Sequence, residues 1–231
     1  DMLCLVVRLL ARNSFKNTRI IVMSATLQSD LFANYFGNGL QKEVGKVFVG
    51  ARCFPVTEHF IEDLPTVFGK RRRLKSEREI TNRIKDVFSD VNGRVKKIDQ
   101  RHCEKLQGII IELIEVIAER GSTILVFLPG IAEISSLWEE ARSLEEDGRF
   151  KVFPLHSMVP REEQELVFAE PDPGVTNVVL ATDIAESSIT LPHVVAVVDL
   201  GLHRRMDHDA SKGIASLATK WISKAAATQR S

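Results

Sequence analysis

The sequence predicts an α/β fold built on a parallel sheet, and three observations lead to it. Short runs rich in apolar residues recur at Thr123–Leu128, Phe150–Pro154, Asn177–Ala181 and Val194–Val198. Longer stretches between them carry apolar residues every three or four positions, the spacing of a helix with one buried face. Strands that alternate with helices pair in parallel through right-handed crossovers, since a parallel neighbour is reached only by a long connection.

Composition sets the outer bounds. A chain of 231 residues has room for one large or two small domains. Lys plus Arg and Asp plus Glu both number 31, so only local patches can point to a polyanionic partner. Cys4, Cys53 and Cys103 are scattered, without the paired spacing of a disulfide framework or a zinc site, which suits a reducing, intracellular setting. No apolar run is long enough to span a bilayer and no signal peptide is visible, so no membrane partner is expected. Helical spacing from Met2 onward, with no leader before it, reads as a chain cut from something longer.

Residues 1–65 read as the end of a first α/β unit. After the opening helix, Thr18–Met23 is expected as a short buried strand leading into Ser24-Ala25-Thr26. A helix is predicted from about Gln28 to Phe36, with Leu31, Phe32, Tyr35 and Phe36 at helical intervals and Gly37 suited to its end. The Ser24 and Thr26 hydroxyls can hydrogen-bond a neighbouring catalytic carboxylate or satisfy the first turn of the next helix.

Residues 66–107 form a connector with 13 basic against 6 acidic side chains, beginning at Lys70-Arg-Arg-Arg73. Ile80, Ile84, Val87 and Phe88 permit an amphipathic helix through its middle. Such a patch suits a phosphate backbone, but with only Phe68 and Phe88 to stack on bases it reads first as a solvated linker. Its length between strands marks a domain boundary.

Residues 108–231 read as a second α/β unit. Leu106, Ile109, Ile110, Leu113, Ile114 and Ile117 make a helical stripe that Gly121 ends, and Thr123–Leu128 follows as a buried strand. Ile131, Ile134, Leu137, Trp138, Ala141 and Leu144 mark the next helix. A strand at Phe150–Pro154, a helix opened by Pro160 and reaching Phe168, and buried strands at Asn177–Ala181 and Val194–Val198 continue the alternation. Two extended runs near 200–217, joined through Asp209 to Gly213, suggest a hairpin. Thr182 to Pro192, between two of the strands, is dense in hydroxyls and carboxylates. Directly after a parallel strand, such groups sit at the carboxyl edge of the sheet, where ligands of open α/β folds bind.

The order Ala181-Thr-Asp-Ile-Ala-Glu-Ser-Ser-Ile-Thr190 resembles motif V of the DEAH-box RNA helicases, a branch of superfamily 2, with Asp183 where that family usually has Asn. Ser24-Ala25-Thr26 resembles motif III. Leu125-Val-Phe-Leu-Pro-Gly130, followed by Glu133-Ile134, resembles motif IV with Pro129 in place of the usual Thr. Phe153-Pro-Leu-His-Ser157 and Arg161 to Phe168 resemble the adjoining motif, and Val198-Asp199-Leu-Gly201 leads into a hairpin where the family carries one. The closing residues, with Gln229 and Arg230, resemble the entry into motif VI.

The resemblance implies two RecA-like parallel-sheet domains, the first only partly present in residues 1–65 and the second, residues 108–231, truncated near its end. It implies RNA contacts at Gly130, Ser157, Thr182, Asp183 and Ser187. Phe168 is expected to stack on the nucleotide base and Asp199 to lie near the ribose. On the residues alone, Phe168 reads rather as the last core residue of its helix. Ser24, Thr26, Gln229 and Arg230 are expected in the catalytic machinery. The implied cofactors are ATP and Mg²⁺, and the implied partners are single-stranded RNA or a duplex with an overhang, together with protein regulators. No Gly-x-x-x-x-Gly-Lys-Ser/Thr loop and no Asp-Glu-x-His box occurs in the sequence, and no metal-ligand set is predicted. ATP and Mg²⁺ would therefore be held mainly by residues outside this chain, which alone should be inactive. The competing expectation is a non-catalytic, helicase-derived module that binds RNA or protein.

Overall fold

The computed structural model describes residues 2–13, 18–23, 29–41, 43–48, 55–69, 81–82, 100–186, 190–209 and 213–231. They fall into two units, residues 1–56 and 57–231.

In the first unit, α1 (Met2–Asn13) meets α2 (Ser29–Leu40), and the Arg8 guanidinium lies 4.0 Å from the centre of the Tyr35 ring. The α2 helix runs past Gly37, its expected end, and stops where Gln41 takes a left-handed φ of 51°. The left-handed residue ends the ladder here rather than the first glycine. Residues 18–23, expected as a buried strand, have no ladder partner among the described residues, and Ile21 and Met23 are exposed. Backbone donors and acceptors need a neighbouring strand to form a sheet, and apolar sequence alone supplies none. Ser24, Ala25 and Thr26 lie outside the described residues.

The second unit opens with a 3₁₀ turn, Ile61–Asp63, in which the Asp63 carboxylate accepts from the Phe60 amide at 2.9 Å. It runs into α3 (Leu64–Gly69), whose Leu64 and Val67 pack against Ile109 and Val116 of α4 (Gln100–Ile117). The basic run from Lys70 and the apolar positions Ile80, Ile84, Val87 and Phe88 lie outside the described residues. The chain then alternates through β1 (Thr123–Phe127), α5 (Ile131–Glu145), β2 (Phe150–Leu155), α6 (Arg161–Leu166), β3 (Thr176–Ala181) and β4 (Val194–Asp199). All four strands are parallel, in the order β2-β3-β1-β4.

Side chains along a strand alternate between faces, and two apolar clusters follow. Ile124 and Val126 of β1, with Val178 and Leu180 of β3, pack beneath Ile110 and Ile114 of α4 and Ile134, Leu137 and Leu144 of α5. Leu125, Phe127, Val179 and Ala181 point the other way, toward Leu155, Val167 and Ala185. Each fully buried Ile or Leu contributes about 1.5–3 kcal/mol, so the first cluster carries most of the sheet's stability. From β1 the chain crosses β3 to reach β2, then turns back. Right-handed crossovers in opposite directions place α5 and α6 on opposite faces, as the clusters show.

The two edges differ. At the β2 edge, Pro154 removes a donor that a central strand would need, and the Glu145 carboxylate accepts from the Val152 amide at 2.9 Å. The β4 edge departs from expectation. Its valines read as buried, yet Val194, Val195 and Val197 are exposed, because β4 has only β1 as a neighbour and a register shift beside Thr123. Branched apolar sequence reports strand preference, whereas burial depends on what lies over the strand.

After β4 the chain forms an antiparallel hairpin, β5 (Leu202–Asp209) and β6 (Ile214–Trp221), and then α7 (Lys224–Arg230), a helix the sequence reading did not include. Its first turn is capped by the Ser223 hydroxyl, which accepts from the Ala226 amide at 3.1 Å. At the hairpin root Gly201 has φ 69°, and an added Cβ there would touch the Trp221 ring at 3.5 Å. Among the described residues, no helix is long and apolar enough to cross a membrane.

Candidate functional site

Parallel pairing brings the carboxyl ends of all four strands to one edge of the sheet. Gly130 follows β1, Ser157 follows β2, Thr182 and Asp183 follow β3, and Asp199 ends β4. The connections after the adjacent strands β1 and β3 leave toward opposite faces, which makes this edge the switch point where a crevice forms.

Local chemistry sets each loop. Thr182 caps a 3₁₀ turn, Asp183–Ala185, its hydroxyl accepting from the Ile184 amide at 3.5 Å. Ile184 and Ala185 pack into the second cluster, so Asp183 between them and Thr182 is left exposed. After β2, the Val159 amide bonds the His156 carbonyl at 3.0 Å and the Gln164 amide donates to the Val159 carbonyl at 2.7 Å. That tight turn leaves Ser157 exposed. Gly130 is buried at the cap of α5. Ser187 lies outside the described residues.

Arg230 is the centre of this edge. Its side chain is 2% exposed, and its guanidinium donates from Nε to Glu186 Oε2 at 3.2 Å and from Nη1 to Asp199 Oδ1 at 3.0 Å. Nη1 also reaches the Leu202 carbonyl at 3.4 Å, and the guanidinium lies 4.6 Å from the centre of the Phe127 ring. Gln229 donates from Nε2 to the Glu186 carbonyl at 3.2 Å. Asp199 Oδ1 accepts also from the Gly201 amide at 2.8 Å. One arginine thus ties the end of β1, the turn after β3, the end of β4 and the hairpin root to α7. The planar five-donor fork meets several acceptors at fixed angles, which a lysine cannot reproduce.

Two further groups belong to this edge, His203 and Glu133, neither of which was expected among the site residues. His203 has its pKa lowered from the ordinary value by burial first, then by the charges of Arg205 and Arg230, against the opposing pull of Asp183 and Glu186. Glu133 is 4% exposed and is ion-paired with Arg204 of the hairpin. A signal existed for it, because Glu133, Leu137, Ala141 and Leu144 share one helical face and a carboxylate in an apolar stripe needs a partner. Phe168 is 44% exposed, while the preceding Val167 takes the core position at 2%. Its ring is available to stack on a flat partner. Among the described residues, no group of three or more His, Cys, Asp or Glu side chains is arranged to hold a metal ion.

Comparison with known proteins gives consistent matches. Residues 104–218 match the family described as helicase conserved C-terminal domain. The DExH-box ATP-dependent RNA helicase DExH1 of Arabidopsis thaliana is 35% identical over 92% of this chain and 24% of its own length. The ATP-dependent RNA helicase TDRD9 of Homo sapiens is 34% identical over 100% of this chain and 17% of its own. The crystal structure of the E. coli DExH-box NTPase HrpB superposes with a TM-score of 0.50 at 32% identity, covering 57% of this chain and 16% of that one. This chain therefore spans a quarter or less of these proteins.

Proposed function

Since the chain belongs to the DEAH-box branch of the superfamily 2 helicases, we propose that it is the part of an ATP-dependent RNA helicase that grips the RNA backbone and couples the grip to the nucleotide. The observation that carries this reading is the clamp around Arg230, which makes the turn after β3, the hairpin root and α7 one body. Exposed Ser157 and the capped turn at Thr182 and Asp183 lie along the same sheet edge, beside the Gly130 loop, and would meet an RNA backbone there. Such contacts are independent of base identity and weaken with salt.

The nucleotide base would stack on Phe168, with ATP and Mg²⁺ supplying phosphoryl-transfer chemistry across a cleft that residues outside this chain complete. In this reading Gln229 and Arg230 are positioning residues, because their side chains hold Glu186, Asp199 and Leu202. Ser24 and Thr26 would relay the state of the catalytic carboxylate from the first unit, and Ser187 would extend the backbone contacts. Alternating grips on RNA then advance the strand and part a duplex.

The experiment is hydrolysis of ATP by the intact protein with and without single-stranded RNA, and with DNA of the same sequence. RNA should raise turnover at least about tenfold over the basal rate, an effect suppressed as salt rises from about 50 to 200 mM. The 231-residue chain alone should bind RNA without hydrolysing ATP. An intact protein that binds RNA and never hydrolyses ATP would end the motor reading.

A further inference from the structure

The hairpin carries two adjacent arginines whose environments are opposite. Arg205 is exposed. Arg204, on the other face of the strand, hydrogen-bonds through Nη2 to Glu133 Oε1 and through Nε to Thr219 Oγ1 at 3.4 Å, so it spans both hairpin strands and the first turn of α5. The Glu133 side chain is 4% exposed, and its second oxygen, Oε2, has no hydrogen-bond partner. A carboxylate in that position depends on its one cation, and Arg204 cannot leave for a phosphate without stranding it. Gly130 closes the arrangement from the third side. A Cβ built there would stand 2.8 Å from Arg204 Nη1 and 3.2 Å from Glu133 Oε2, so the loop after β1 lies flush on the ion pair with room for a hydrogen only.

From this geometry we infer that Glu133 and Arg204 form a latch that holds the hairpin in register with the Gly130 loop, and that Arg204 is a positioning residue for strand separation rather than an RNA contact. The inference rests on the helicase reading and deepens it. A hairpin fixed to the loop that grips the backbone advances with that grip, so each hydrolytic step is delivered to the duplex junction. With the latch open, the hairpin strands beyond the root that Arg230 clamps lose their hold on the Gly130 loop, and hydrolysis continues without parting the strands. Arg205, facing solvent, is the hairpin arginine free to meet phosphate.

The test uses the intact protein carrying Arg204→Gln, Glu133→Gln, both together, Arg204→Lys or Arg205→Gln. RNA-stimulated hydrolysis by the Arg204→Gln and Glu133→Gln proteins should stay within about twofold of wild type while duplex unwinding falls about tenfold, and the double variant should be no worse than either single one. Arg204→Lys should recover part of the unwinding. The salt dependence of RNA binding should be unchanged by Arg204→Gln and lose about one unit of slope with Arg205→Gln. Hydrogen exchange across residues 202–209 should quicken about tenfold in both latch variants while β1 and β3 stay protected. The exchange measurement requires no catalytic activity, so it judges the latch even if the motor reading fails. A loss of salt slope at Arg204, a parallel fall of hydrolysis and unwinding, or unchanged exchange at 202–209 would each overturn the latch.

Discussion

Replacing Arg230 with alanine should destabilise residues 57–231 by about 3–5 kcal/mol, the range for removing one partner of a buried ion pair. The substitution strands two carboxylates, Glu186 and Asp199, whose side chains are only 19% and 20% exposed. It also leaves the Leu202 carbonyl without this donor and takes the cation from above the Phe127 ring. Arg230→Lys should recover only a small part, since a single ammonium cannot span both carboxylates and the carbonyl at once. Trp138 and Trp221 are the two tryptophans of the chain and both lie in the second unit, so tryptophan fluorescence follows its unfolding selectively. The expected fall in Tm is roughly 6–20 °C. A fall under about 2 °C would mean that α7 is held by something other than this clamp.

Phe127→Ala should cost a similar amount, about 3–5 kcal/mol, through a different cause. Phe127 is 1% exposed and forms the centre of the smaller apolar cluster, where Leu125, Val179 and Ala181 leave few neighbours able to collapse into the space. Because Arg230 sits over the ring, the two substitutions should not add, and the double variant should be less destabilised than the sum by about 0.5–3 kcal/mol. Urea unfolding followed by tryptophan fluorescence checks both numbers, with the midpoint moving and the slope unchanged. Strict additivity would show that the guanidinium and the ring do not share an interaction.

The fold class was legible because it depends on local periodicity. Thr123–Leu128 and Asn177–Ala181 are continuous apolar runs, and the structure places both as fully buried central strands. Periodicity says less about neighbours. The valines of β4 looked the same in sequence and are exposed at an edge, and Thr18–Met23 has strand composition without a strand beside it among the described residues. Gly37 offered a stop that α2 did not use. The candidate site divides the same way. Thr182 and Asp183 could be placed at a sheet edge because their segment directly follows the apolar run ending at Ala181, whereas Ser157 and Gly130 were pointed to by the family resemblance alone. The surroundings of Arg230 could not, since its partners at positions 127, 186, 199 and 202 meet only after the sheet forms and α7 folds back on it. Phe168 shows the limit of spacing most simply. The helical register allowed it in the core, and the neighbouring Val167 took that place.

The most direct measurement is photo-cross-linking of uridine-rich single-stranded RNA to the intact protein, with the modified peptides mapped by mass spectrometry in the nucleotide-free and ATP-analogue-bound states. The account predicts adducts within the turns at 156–159 and 182–186, at the carboxyl ends of β2 and β3, with yields that change between the two nucleotide states. Adducts confined to other surfaces, or yields at these turns indifferent to the nucleotide, would contradict it.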